Sequence, residues 1–261
     1  MMITIIGYIL AIGIGLSLGM IGGGGSILAV PILVYVMGVS SKAAIAMSLV
    51  IVGTVSIIGV IPHWKQGNVN LKTAIVFIPA AMLGAYLGAR IAAFPFISNT
   101  FQLICFGIVM AIASILMIRK GGEQTKSTNN NLKQAEKSTY KISPQWLVIS
   151  AEALGVGILT GFVGVGGGFL IIPTLVLLGG IPMKEAVGTS LLIIAANSFS
   201  GFLGYINQVT VDWNLVISFI TAAAVGILLG TYLTKYIDAK KLQKSFGYFV
   251  LAVAVFVLVK R

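Results

Sequence analysis

Residues 18–33, LGMIGGGGSILAVPIL, and residues 160–175, TGFVGVGGGFLIIPTL, decide how this chain is read. Each is a glycine run set in apolar sequence, followed shortly by a proline, Pro31 or Pro173. Placing Thr160 over Leu18 lays one stretch on the other, and the register continues without a gap. Lys42 falls over Lys184, Ser48-Leu49 over Ser190-Leu191, Ser56 over Ser198, Gly59 over Gly201, Gln66 over Gln208, Gly84 over Gly226 and Gly88 over Gly230. Apolar segments share Ile, Leu and Val by chance. Shared Gly, Pro, Lys and Gln in one register do not arise that way, and the chain reads as a duplicated half.

The surroundings of the two runs set the fold class. Of 261 residues, 58% are hydrophobic and 9% are charged, with a mean hydropathy of +1.06. Soluble domains carry roughly 25% charged residues, so no solvated surface can be built from this chain. Charge-free runs cover 1–41, 43–61, 73–89, 91–118, 153–183, 186–211 and 213–234, and a membrane helix needs about 20 largely apolar residues. The expected class is an all-α polytopic membrane protein of about eight transmembrane helices. The start, MMITIIGYIL, lacks a basic n-region and reads as a first span.

Composition also excludes chemistries. One cysteine, Cys105, and one histidine, His63, cannot build a disulfide framework or a histidine or cysteine metal centre. No cofactor is expected. The net charge of +11 sits at span ends and in one linker, where the positive-inside bias explains it without nucleic acid.

Residues 119–141, RKGGEQTKSTNNNLKQAEKSTYK, hold six Lys/Arg and two Glu and little to bury, as a solvated segment does. The expected domains are a first membrane repeat at 1–118, a basic linker at 119–144 and a second repeat at 145–261. Four spans are placed in each, at about 3–20, 42–61, 71–92 and 99–118, then 145–163, 184–204, 213–234 and 242–259. The stretch from Ser26 to Met37 is too short to cross at about 1.5 Å per residue. Each half therefore has a Gly-interrupted broken or re-entrant segment. Four crossings per half predict parallel repeats about an axis along the membrane normal; a full crossing by the short segment would invert them. A cytoplasmic linker then puts both termini and Lys65, Lys72, Lys260 and Arg261 inside, with Lys235, Lys240, Lys241 and Lys244 outside.

The glycine runs are the candidate site. Glycine costs nearly 1 kcal/mol against alanine within a helix, and broken backbone survives in lipid only where protein or a cavity surrounds it. Interrupted segments at matching places in two halves point to a transporter's binding site. Helices starting near Ser26 and Gly168 would turn free N–H groups and positive dipole ends toward the break, which favours an anion. Close helix packing is the competing reading; the scattered Gly13, Gly15, Gly84, Gly88, Gly226 and Gly230 are assigned to it. No Gly-Lys-Ser/Thr follows either run, so no nucleotide loop is expected.

With these segments, and with AVGTSLLII at 186–194, the chain resembles the TauE/SafE family of sulfite exporters, among the TSUP permeases. The resemblance covers both halves. It implies passage of sulfite, sulfonates or related sulfur-containing anions through the cytoplasmic membrane. The matching positions are Gly22, Gly24, Gly25 and Pro31, then Gly164, Gly166, Gly167, Gly168 and Pro173, then Gly188, Thr189 and Ser190. The first half departs from the last of these with Ala46-Met47-Ser48.

Ser48, Thr54, Ser56, Thr189, Ser190, Asn197 and Ser198 are candidate donors to an oxyanion, with bonding to their own helix as the alternative. Lys42 and Lys184 start equivalent spans and either attract an anion or snorkel to the interface. Glu152, the one acid well inside a span, is a candidate proton carrier. His63 is read as interfacial beside Trp64, with pH sensing as the other reading. The expected function is a gradient-driven permease of small anions and not an enzyme. Its partners are a small anionic substrate and the lipid bilayer, with a homo-oligomer left open. An anion channel, a carrier of another organic anion and a non-transporting assembly subunit are the alternatives.

Overall fold

The computed structural model describes residues 2–92, 104, 107–108, 110–112, 114–119, 145–163, 168–205 and 210–259. The described residues are helical apart from turns. Helix α1 (Met2–Ile21) is followed by α2 (Gly24–Pro31), which widens into a π-helical turn, Ile32–Val36, and then by α3 (Ser41–Lys65), α4 (Leu71–Ala92) and α5 (Met110–Arg119). Beyond the linker come α6 (Gln145–Val163), α7 (Gly168–Pro173) with its π-turn Thr174–Leu178, α8 (Met183–Tyr205), α9 (Trp213–Tyr236) and α10 (Ala239–Val259). Ala43–Lys65, Leu71–Gly88, Met183–Leu203 and Trp213–Tyr236 are long and apolar enough to cross a membrane, and shorter apolar helices accompany them. Exposed Ile75, Leu83 and Leu87 on α4, with Ile217, Val225 and Leu229 on α9, form matching outward faces suited to lipid.

Small residues decide which helices touch. Main chains approach closely only where no Cβ intervenes, and the principal pairs are α1 with α9, α4 with α6, and α3 with α8. A Cβ on Gly15 would run into the Ala223 carbonyl, and one on Gly19 into that of Ile227. The same contacts recur at the equivalent positions of the second half, with Gly157 against Ala81 and Gly161 against Ala85. Gly226 meets Ile12 as Gly84 meets Leu154, and Gly230 meets Leu16 as Gly88 meets Ile158. Each half thus lends its first helix to the fourth helix of the other. The π-turns match too: Val39 N–H donates to Leu33 O at 3.0 Å and Ile181 N–H to Leu175 O at 3.0 Å.

Two expectations are corrected by this packing. A Cβ on Gly25 would strike Ile14, and one on Gly7 would lie 2.6 Å from Met37 Sδ, so α2 and its π-turn run back beside α1 almost to its start. Corresponding helices of the two halves also run in opposite directions. On α3 and α8, Gly201 faces Leu49, Gly53 faces Ser198, Gly59 faces Leu191 and Gly188 faces His63: one numbering rises as the other falls. The parallel arrangement expected from four crossings per half is not what the helices form.

The second correction concerns charge. His63 of α3 meets Gly19 of α1, Thr234 of α9 bonds the same carbonyl, and Lys184 Nζ donates to Lys235 O at 3.4 Å. Gln243 of α10 reaches Met117 of α5. These contacts gather Lys65, Lys72, Arg119, Lys184, Lys235, Lys240, Lys241 and Lys244 at one face, where two faces were expected to share them. Helix α1 starts at the opposite face and α10 ends there.

Glycines at these crossings give a graded test. Gly13 and its counterpart Gly155 have open space where a Cβ would go, so packing is not their role. Alanine there should raise thermal stability, by up to about 1 kcal/mol each from helix propensity. Gly15→Ala and Gly157→Ala push a methyl into backbone and should destabilise by about 1–3 kcal/mol. Thermal unfolding of the four purified variants in detergent separates the pairs by sign.

Candidate functional site

Helix α1 ends because Gly22 takes φ +73°, with its N–H on Leu18 O at 2.7 Å; a left-handed residue closes a helix C-terminus and glycine adopts it without strain. A Cβ at Gly22 would lie 2.5 Å from Ser190 Oγ and 2.7 Å from Ile172 Cδ1. Helix α2 starts just after it. Its N-cap, Gly23, offers no side-chain acceptor, and Ser26 Oγ donates back to Gly23 O at 2.7 Å. No acidic residue lies in its first turn. Its leading N–H groups have no intrahelical acceptor.

The second break meets the first. A Cβ on Gly168, at the start of α7, would lie 2.8 Å from Ile194 Cδ1, 2.9 Å from Ser26 Oγ and 3.1 Å from Gly23 Cα. Ser26 and Gly168 are the same repeat position, as Leu18 and Thr160 are, and Ile194 is the middle residue of α8. Two helix starts abut halfway along α8, each with the positive end of its dipole at the junction.

One face of α8 borders the junction. Ser190, Ile194 and Asn197 follow at i, i+4 and i+7, and the first two touch the breaks directly. Ser190 Oγ donates to Val187 O at 2.8 Å. Asn197 is buried, and its Oδ1 has no hydrogen-bond partner. Oxygen and nitrogen of an amide interchange by a flip, so the group can present either a donor or an acceptor.

Of the residues expected at the site, Gly22, Gly168 and Ser190 meet at the junction, and Asn197 shares their face. Gly24 and Gly25 belong to the same helix start, but their Cα atoms face other ways. Gly24 packs on Ser17 and Phe249, and Gly25 on Ile14 and Leu18. Gly164, Gly166 and Gly167 lie outside the described residues, as does the side chain of Lys42. Ser48 Oγ donates to Ile45 O of its own helix at 2.8 Å. Lys184 lies at the charged face with Lys235, a helix-end contact. Glu152 is half-buried near the start of α6, the helix paired with α4.

Thr189 holds a loop. Helix α3 closes at Gly67, φ +73°, with Gly67 N–H on Trp64 O at 2.9 Å and Asn68 N–H on His63 O at 2.9 Å, the paired bonds of a Schellman motif. The chain is thereby turned so that Asn70 N–H donates to Thr189 Oγ1 at 2.9 Å and Asn70 Nδ2 to Glu185 Oε1 at 2.8 Å. Asn70 Oδ1 meanwhile caps α4 through Thr73 N–H at 3.0 Å. Asn70 before Leu71 carried a readable N-cap signal; its distant partner, in the other half of the chain, did not.

His63 is not interfacial. Helix α3 continues through Pro62, and the imidazole is fully buried while Trp64 and Lys65 are exposed.

Comparison with known proteins adds the following. The family model described as "Sulfite exporter TauE/SafE" matches residues 7–257. A probable membrane transporter protein of Xylella fastidiosa is 36% identical over 94% of this chain and 91% of its own length. One from Bacillus subtilis is 28% identical, over 89% and 90%. One from Methanocaldococcus jannaschii is 35% identical over a shorter stretch, 39% and 40%. No solved structure matches.

The Asn70 contact sets an expectation for Thr189. Thr189→Val would leave the half-buried Asn70 N–H without its acceptor, at a cost of about 1 kcal/mol. Thermal unfolding should show that loss, and Thr189→Ser should restore most of it.

Proposed function

The chain belongs to the TauE/SafE sulfite exporter family, and from that premise we propose that it moves a small anion by gradient-driven secondary transport, with sulfite, a sulfonate or a related sulfur-containing anion as substrate. Family membership makes it a multi-pass membrane transporter of a small molecule. The anion is our reading, and one observation carries it: the starts of α2 and α7 abut, with Gly168 against Ser26 and Gly23.

Each helix start bears roughly half a positive charge, so two together match about one unit of negative charge. They do so without a lysine or arginine, whose own desolvation in the bilayer is costly. Sulfite and sulfonate carry three oxygens around one sulfur. The leading amides of α2 and α7 would donate to two of them, and the Asn197 amide, flipped to present its N–H, to the third. Ser190 keeps its own proton on Val187 O and would line the site. Oppositely directed halves are suited to alternating access, with one bundle rocking against the other about a fixed central site. The lysine-rich face would be cytoplasmic by the positive-inside bias, gathering anions at that mouth.

Uptake of labelled sulfite, sulfate, thiosulfate and taurine into proteoliposomes tests the reading. Sulfite or a sulfonate should be taken up in preference to the others. Asn197→Leu keeps the volume and removes the amide; it should lower affinity at least tenfold, for a hydrogen bond to a charged partner worth about 1.5–3 kcal/mol. Thermal stability should not fall, since Asn197 Oδ1 has no partner to lose. Folded wild-type protein that neither binds nor moves any of the four compounds would refute the proposal.

A further inference from the structure

His63 is the single histidine of the chain, and its ring is fully buried. Nε2 lies 3.1 Å from the carbonyl oxygen of Gly19. A carbonyl only accepts, so Nε2 carries a hydrogen, and in the neutral ring Nδ1 is a bare lone pair. That Nδ1 is buried and has no hydrogen-bond partner. Buried polar atoms are rarely left so, and the smallest ligand that a lone pair takes is a proton.

The ring's position links that proton to the anion. Gly19 lies in the last turn of α1, just before the Gly22 break. The Thr234 hydroxyl lies 3.2 Å from the same carbonyl and 2.9 Å from Gly230 O of its own helix, so α3 and α9 both pack against the end of α1. A protonated imidazole beside a helix C-terminus is favoured by the carbonyl ends of the dipole. It would also stand close to an anion entering at the start of α2.

Among the described residues, no charged group of the surrounding elements competes for the ring. The Gly19 carbonyl of α1 meets the ring, Gly188 of α8 faces its Cβ, and Asn68 of the α3–α4 loop bonds its backbone carbonyl; none of the three is titratable. On α8, Glu185 accepts from Asn70, and Lys184 donates to Lys235 O of α9. Lys65 on α3 itself is exposed.

We propose that His63 carries the coupling proton: Nδ1 takes one proton from the lysine-rich face as an anion binds, and anion and proton cross together. The ring goes from imidazole to imidazolium and back, and the pair moves no net charge when the anion is singly charged. This rests on the anion-transport reading, and it assigns to His63 the role that sequence reasoning gave to Glu152.

A lone histidine makes the test site-specific. Protein purified without a histidine tag, carrying ring-labelled histidine, is observed by NMR at a fixed pH where the free protein shows a neutral ring. Methanesulfonate, which keeps its single charge throughout, is then added, with sulfite as a second probe. The ring signals should move to the doubly protonated pattern, and calorimetry in two buffers should show about one proton taken up per anion bound.

In proteoliposomes, His63→Gln keeps a donor for Gly19 O but has no titrating group. It should lose proton uptake and accumulation driven by a pH gradient, with anion exchange at equal pH persisting at a reduced rate. Anion binding with the ring still neutral would overturn the proposal, as would His63→Gln accumulating like wild type. Loss of proton uptake in Glu152→Gln but not in His63→Gln would assign the carrier to Glu152 and overturn it equally. Should His63→Gln fail to fold, the wild-type NMR result decides alone. Wild-type protein that binds and moves neither probe sinks the transport reading itself, a result distinct from binding without proton uptake.

Discussion

Backbone contact through glycine is the constraint on which the structure rests. In lipid there is no hydrophobic force between helices, so association depends on dense packing and on satisfied backbone groups. Gly15 and Gly19 bring α1 onto α9, and Gly157 and Gly161 bring α6 onto α4. Each crossing joins one half to the other. The halves interlock, and the seam of α3 on α8 lies between the two crossings. The junction of the glycine breaks follows from this, because α2 is tied to α1 and α7 to α6.

Much of this was legible in the sequence. Apolar run lengths gave the all-helical membrane class, and the register of Leu18 over Thr160 anticipated contacts that recur pair by pair. The breaks were legible because glycine runs have no other good reason to stand in apolar sequence. The direction of the halves was not. Length and composition carry no signal for the relative direction of two helices, which shows only in the facing pairs of α3 and α8.

Within the site, the residue types were readable and their partners were not. Gly22 abuts Ser190, and Gly168 abuts Gly23 and Ser26. Thr189, from the same motif, holds Asn70 N–H, a contact between the two halves that no local spacing announces. His63 followed Pro62 and preceded Trp64 and Lys65, a sequence that looks like a helix end at the interface. Its burial arises where α3 packs on α1 and α8, with Nε2 against the Gly19 carbonyl and Gly188 facing its Cβ. In the proposed mechanism, the junction of helix ends would hold the anion and the imidazole beside its approach the proton.

The central claim is that an anion sits where the two helix starts abut. Selenite, a heavier analogue of sulfite, scatters X-rays anomalously, and its position in crystals of the purified protein tests the claim directly. The account predicts a peak between the start of α2 at Gly24 and that of α7 at Gly168, within hydrogen-bonding reach of their leading amides and bordered by Ser190 and Asn197. A peak found only among the lysines of the charged face, with the junction empty at saturating selenite, would contradict it.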